Sequence, residues 1–107
     1  SYFILDKPHH AYWNMYNKRG YVALMSDIFQ RVIGILEQHG ISANVDENTY
    51  TLYIKNKDEI SSLTFISVVV SFESEFKIQI PDEFLSMDFI DKLPNIIYEL
   101  KKEDFIQ

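Results

Sequence analysis

The sequence has no cysteine and, in 107 residues, only three glycines, three prolines and one tryptophan. Without cysteine there is neither a disulfide framework nor a protein thiolate for redox or nucleophilic work, so any thiol chemistry has to come from a cofactor. No apolar run approaches the roughly 20 residues needed to cross a bilayer, and the first residues lack the basic-then-apolar order of a signal peptide. A soluble, cytoplasmic protein is expected. Basic side chains are scarce as well: ten Lys and Arg stand against sixteen Asp and Glu, a formal net charge of -6. Lys7, Lys18 and Arg19 face only Asp6 among the first 25 residues, so the acidic excess lies in residues 26–107. Such a surface repels phosphate backbones and anionic membranes, and no local basic groove offsets it. Nucleic acid and membrane are therefore excluded as partners, and basic proteins suit the chain better. What it has in quantity is apolar side chains: 47% hydrophobic and 15% aromatic residues are enough for one modest core and too many for disorder.

Residues 1–25 carry Pro8, Gly20, two of the three histidines and the tryptophan without sustained periodicity, and read as an N-terminal extension, native or vector-derived. Met25 stands where a translation start would fit. From Ser26 the text "SDIFQRVIGILEQHG" predicts a helix, capped by Ser26 or Asp27 and ended by Gly40. Ile28, Val32, Ile35 and Leu36 form its apolar face, widened by Phe29 and Ile33. Residues 41–60 are polar, with Leu52 and Ile54 at intervals. "TYTLYI" alternates as a short strand does, but a lone strand has no partner, which favours a long loop pinned to the core. "SSLTFISVVVSFESEF" follows, with Leu63, Ile66, Val69, Val70 and Phe76 near helical spacing. The β-branched run Val68 to Val70 leaves a strand open. Thr64, Ser67, Ser71 and Ser74, at steps of three and four, favour helix. Beyond "KIQIPDEF" and an irregular turn at "FLSMDF", a last helix is expected from about Asp91 to Lys102. Pro94 is tolerated in its first turn, Ile96, Ile97 and Leu100 form its buried face, and Lys101 and Lys102 suit its negative end.

The run "EISSLTFISVVVSFESEFKIQIPDE", residues 59–83, resembles without a gap the signature of the acyl carrier protein family. That signature is usually Gly-x-Asp-Ser-Leu, an apolar helix ending in acids and Phe, and an Ile-x-Ile-Pro-Asp-Glu-like segment. "MSDIFQRVIGILEQHG" is similar to the family's first helix, so the resemblance covers residues 26–102. It implies an all-α, acyl-carrier-like four-helix bundle, three long helices and one short, with a long loop between helices one and two, preceded by the extension 1–25. It further implies a protein that is not an enzyme. Its Ser62 would receive 4'-phosphopantetheine, covalently, from coenzyme A, and acyl or aminoacyl groups would ride on that arm as thioesters for fatty-acid, polyketide or peptide-like biosynthesis. The implied partners are a phosphopantetheinyl transferase and the loading ligase and synthase enzymes. The expected contact residues are Ser61, Leu63, Thr64, Ser67, Val70 and Glu73. Two positions depart from the family: Glu59 stands where glycine is usual and Ser61 where aspartate is usual. They motivate an alternative, a carrier-like interaction domain that is not modified.

Other groupings carry less. The Ser61-Ser62 pair by itself is what a helix cap looks like. His9, His10 and His39 lack the spacing of a metal set. Asp82 with Glu83, and Asp88 with Asp91, read as exposed acidic surface, because no nucleophile or glycine-rich loop accompanies them. Tyr12, Trp13 and Tyr16 read as an apolar patch covering the bundle.

Overall fold

In the computed structural model, which describes residues 7–106 apart from the side chains of 7–19 and 104–106, the first element is a 32-residue helix, α1 (Lys7–Gln38). Its length corrects the expected start at Ser26: the backbone passes residues 25 and 26 without a break, and neither Ser26 nor Asp27 is a cap. The buried stripe extends the one read from Ile28 by one position, to Met25. Met25, Ile28, Phe29, Val32, Ile35 and Leu36 are all buried, at the three-and-four spacing of one helical face. The Tyr12, Trp13 and Tyr16 patch and the histidines His9 and His10 lie outside the described side chains. The helix ends as the sequence indicates. Gly40 takes φ +77, its N–H donates to the Glu37 carbonyl (3.0 Å), and that of Ile41 donates to the Leu36 carbonyl (2.9 Å). Buried Leu36 and Ile41 complete a Schellman closure.

The segment expected to be a long loop is a β-hairpin. β1 (Ala43–Asp46) pairs antiparallel with β2 (Thr51–Ile54), in the register Ala43↔Ile54, Asn44↔Tyr53, Val45↔Leu52 and Asp46↔Thr51. The partner that "TYTLYI" needed lies just upstream, in a run with only two apolar residues. The pleat turns Ala43, Val45, Leu52 and Ile54 toward the core, leaving Asn44 and Tyr53 outside. In the connection, the Asn48 N–H donates to Asp46 Oδ1 (2.9 Å) and Tyr50 takes φ 52. The Tyr50 ring meets Phe29 at 5.6 Å and Tyr21 at 6.1 Å, which seats the hairpin tip on α1.

α2 (Ser62–Phe76) confirms the helix over the strand for the Val68 to Val70 run. The expected fourth helix does not form. Residues after α2 make two 3-10 helices instead, Asp82–Phe84 and Met87–Lys92, the second running directly into α3 (Leu93–Ile106). A further 3-10 helix, Lys57–Glu59, precedes α2 and is tied to the segment before α3 by Lys57 Nζ to Asp91 Oδ2 at 3.4 Å. Pro94 lies in the first turn of α3 and is buried with Leu93 and Ile97, whereas Leu100 is exposed. Lys101 and Lys102 do not reach the end of α3, whose last turn has no basic residue. Lys102 Nζ instead meets Glu99 Oε1 at 2.6 Å.

Among the described residues the architecture is therefore three α-helices and a two-stranded antiparallel sheet, not a four-helix bundle with three long helices: α2 and α3 have 15 and 14 residues against the 32 of α1. Both helices and the hairpin pack on α1, and the core draws on all of them, through Val32, Leu52, Val68, Phe72, Ile90 and Ile97 among others. Among the described residues, no helix is long and apolar enough to cross a membrane.

Candidate functional site

The two serines that open α2 divide the work. Ser61 is extended (φ -74, ψ 160), and its Oγ accepts from the Thr64 N–H (3.1 Å) while its hydroxyl donates to Thr64 Oγ1 (3.0 Å). It is the cap, satisfying one of the helix's orphan donors. Ser62 is the first helical residue, exposed, and takes no part in that cap. Its hydroxyl stands at the positive end of the helix dipole, and α2 has no acidic residue in its first turn. A phosphate on this oxygen suits the position, because neighbouring backbone N–H groups favour anionic oxygens.

Around Ser62 the helix carries two apolar stripes. Phe65, Val68, Val69, Phe72 and Phe76 point into the core. Leu63, Ile66 and Val70 repeat at i, i+3 and i+7 on the outer side and are 76%, 57% and 57% exposed. The hydroxyl of Ser67 shares that outer face. Sequence reading anticipated Leu63 and Val70 there and counted Ile66 only in the apolar periodicity, because spacing alone does not tell a stripe facing the core from one facing water.

Beside Ser62 lies a groove of about 410 Å³ between α2 and the segment that follows the first of the later 3-10 helices. Ser62, Phe65, Ile66, Val69, Val70 and Glu73 line one side; Leu85, Ser86 and Met87 line the other. The residues on the far wall were not anticipated; "FLSMDF" has no periodicity to point at a groove. A larger cleft, about 540 Å³, opens between α1, Phe84, Phe89 and α3; aromatic rings such as Tyr21 and Tyr98, edge-on at 5.2 Å, share its walls with Asp88, Lys92, Asn95 and Glu99. It contains no hydroxyl nucleophile of the Ser62 kind.

Of the remaining expected contact residues, Thr64 is half-buried and engaged in the Ser61 cap. Glu73 is engaged too: its Oε2 accepts from the Ile80 N–H (2.8 Å), and its carbonyl accepts from Ile78 (3.1 Å) and from the αL residue Lys77. At the same end, Arg31 of α1 reaches over the Phe76 ring, 4.4 Å from its centroid. It donates through Nε to Glu75 Oε2 (2.9 Å), through Nη2 to the Glu75 carbonyl (3.0 Å) and through Nη1 to Asp27 Oδ2 (3.0 Å). Burial lowers its pKa, but the hydrogen bonds to Asp27 and Glu75 outweigh it and hold the guanidinium above its ordinary value. A raised value keeps this clamp charged throughout the neutral range, and its contribution is lost only as pH climbs through the arginine range. His39 donates from Nδ1 to the Ile35 carbonyl at 2.9 Å. Among the described residues no group of three or more His, Cys, Asp or Glu is placed to hold a metal ion.

The residues present fit a phosphopantetheine attachment: a free hydroxyl at a helix N-terminus, no first-turn acid and an apolar groove alongside. No protein-family model, curated protein or solved structure matches this chain significantly.

Proposed function

We propose that the protein is a discrete acyl carrier, cytoplasmic and without catalysis of its own. Acyl or aminoacyl groups would travel on a 4'-phosphopantetheine attached to Ser62, serving fatty-acid, polyketide or peptide-like biosynthesis. The observation that carries this reading is the division of labour between the two serines. Ser61 satisfies the helix, so Ser62 is spared for chemistry. The unbroken resemblance of residues 59–83 to the carrier signature supports the same oxygen.

The chain's part is positional. Oγ of Ser62 forms the phosphodiester, losing its proton to the transferase, and 3',5'-adenosine bisphosphate departs from coenzyme A. The first-turn N–H groups of α2 would be the donors nearest a phosphate on that oxygen. The groove walls Phe65, Ile66, Val69 and Met87 offer an apolar resting place beside the attachment point. The group supplies a terminal thiol for thioester formation, and the lack of cysteine in the chain leaves that thiol without a competitor. The partners of this reading are a phosphopantetheinyl transferase and the ligase and synthase that load and unload the arm.

The decisive measurement is intact-mass spectrometry after incubation with coenzyme A and a broad-specificity phosphopantetheinyl transferase. One arm should be added to the wild type and to Ser61→Ala, and none to Ser62→Ala. No gain with several transferases favours an unmodified interaction domain, a reading supported by Glu59 and Ser61 at the positions where carriers usually have glycine and aspartate. A gain retained in Ser62→Ala would assign the arm to another hydroxyl.

A further inference from the structure

The cleft of about 540 Å³ between α1 and α3 lies apart from Ser62, which is not among its lining residues, and its size is that of a small-molecule site. Two edge-on ring pairs pave it, Tyr21 with Tyr98 at 5.2 Å and Phe84 with Phe89 at 5.5 Å. Such rings hold a flat apolar body by stacking and by the area they bury. Three charged side chains share the walls. Glu99 is already paired with Lys102, at 2.6 Å. Asp88 and Lys92, both exposed, have no ion-pair partner among the described residues. On an α-helix their spacing of four would make them neighbours, free to neutralise each other. They stand instead in the 3-10 helix Met87–Lys92, whose three residues per turn set them about 120° apart. The winding therefore holds one cation and one anion separately at a ring-lined cleft.

We infer that this cleft binds a zwitterion with a flat apolar body, the chemistry of an aromatic amino acid. Its carboxylate would meet Lys92, its ammonium Asp88 and its side chain the rings, while the Asn95 amide, donor and acceptor at once, can serve either end. Charge selects the class. An organic cation would face Lys92 and an organic anion would face Asp88, each at a cost, so only a ligand with both charges answers both walls. The inference does not depend on Ser62 or on any group attached to it.

The probe is L-tryptophan, titrated into the full chain and followed by calorimetry and amide NMR. Kd should be about 0.1–1 mM, as for a ligand of this size in an open cleft, with the shifts centred on Asp88, Phe89, Lys92 and Tyr98. Tryptamine, which lacks the carboxylate, and N-acetyl-L-tryptophan, which lacks the ammonium, should each bind about fivefold more weakly, the loss of one exposed charge contact. L-Alanine, without the ring, should give no measurable binding. Lys92→Met should weaken L-tryptophan and N-acetyl-L-tryptophan by about fivefold and leave tryptamine no weaker. Asp88→Asn should weaken L-tryptophan and tryptamine and leave N-acetyl-L-tryptophan no weaker. Both side chains are exposed, so each variant should keep the wild-type thermal transition. Equal affinity for the three indole compounds would show stacking without charge recognition and overturn the inference. So would a uniform loss for every ligand in both variants, shifts centred on the groove beside Ser62, or no binding of L-tryptophan at about 10 mM.

Discussion

At its N-terminal end α2 presents Ser62, Leu63, Ile66 and Ser67 to solvent, uncharged, while the Ser61 cap and the buried Phe65 and Val68 hold the turn. At its C-terminal end Phe72 and Phe76 are buried, Glu73 grips the Ile80 backbone, and Arg31 lies across Phe76 while pairing with Glu75. The contrast teaches how a 15-residue helix can leave one apolar face in water without wandering. Core packing runs the whole length of the helix, from Phe65 to Phe76, whereas the charged contacts are confined to the end where it leaves. Acids used as fasteners are also acids removed from the outer face.

That contrast can be broken at four places besides Ser62. Phe72→Ala, at a fully buried position, should cost about 3–5 kcal/mol of stability in urea unfolding, whereas Leu63→Ser should stay within about 0.5 kcal/mol. Equal costs would mean that the inner and outer stripes are misassigned. Removal of residues 1–24 tests the proposed division between an extension and a carrier domain of residues 26–107. The remaining chain should keep a cooperative thermal transition and helical circular dichroism. It should lose about 1–3 kcal/mol, because Tyr21 no longer meets Tyr50 and Tyr98. Loss of the transition altogether would make the extension part of the core. Arg31→Ala should cost about 1–2 kcal/mol, the sum of one cation–π contact and partly exposed ion pairs, and the part due to the ion pairs should shrink at high salt. Smallest of the four, Ser61→Ala should cost about 1 kcal/mol in thermal unfolding and leave Ser62 modifiable. A Ser61→Ala protein that resists modification would sharpen the comparison by showing that the cap also shapes the transferase's substrate.

The sequence was most legible where local chemistry and burial agree. Gly40 ends α1 because a left-handed residue is needed there, and Pro94 sits in the first turn of α3 because no donor is lost. The stripe from Ile28 to Leu36 was readable from its spacing. The hairpin was not. β1 shows only Ala43 and Val45 as apolar residues, and a four-residue strand is recognisable only from its partner. The start of α1 was misjudged because Ser26 and Asp27 look like a cap, yet a helix already under way has no orphan donors for them to satisfy. In the candidate site, Ser62 was legible from the pattern around it, while Leu85 and Met87, on the opposite wall of the groove, carry no periodic signal.

By itself the sequence determined the uncharged run after Ser62, the absence of a protein thiol, the acidic surface and the helical character of α2. These follow from residue type and near-neighbour spacing, which survive any tertiary arrangement. Only the tertiary structure decided that residues 41–60 pair as a hairpin, that Ile66 faces water and that Glu73 and Glu75 are used inside the fold. Each of those outcomes depends on a group distant in sequence or on the turn that follows the helix: Val45 for Leu52, the Ile80 backbone for Glu73, and Arg31 for Glu75. A side chain's exposure and its free charge are properties of what packs against it, and no local pattern contains that partner.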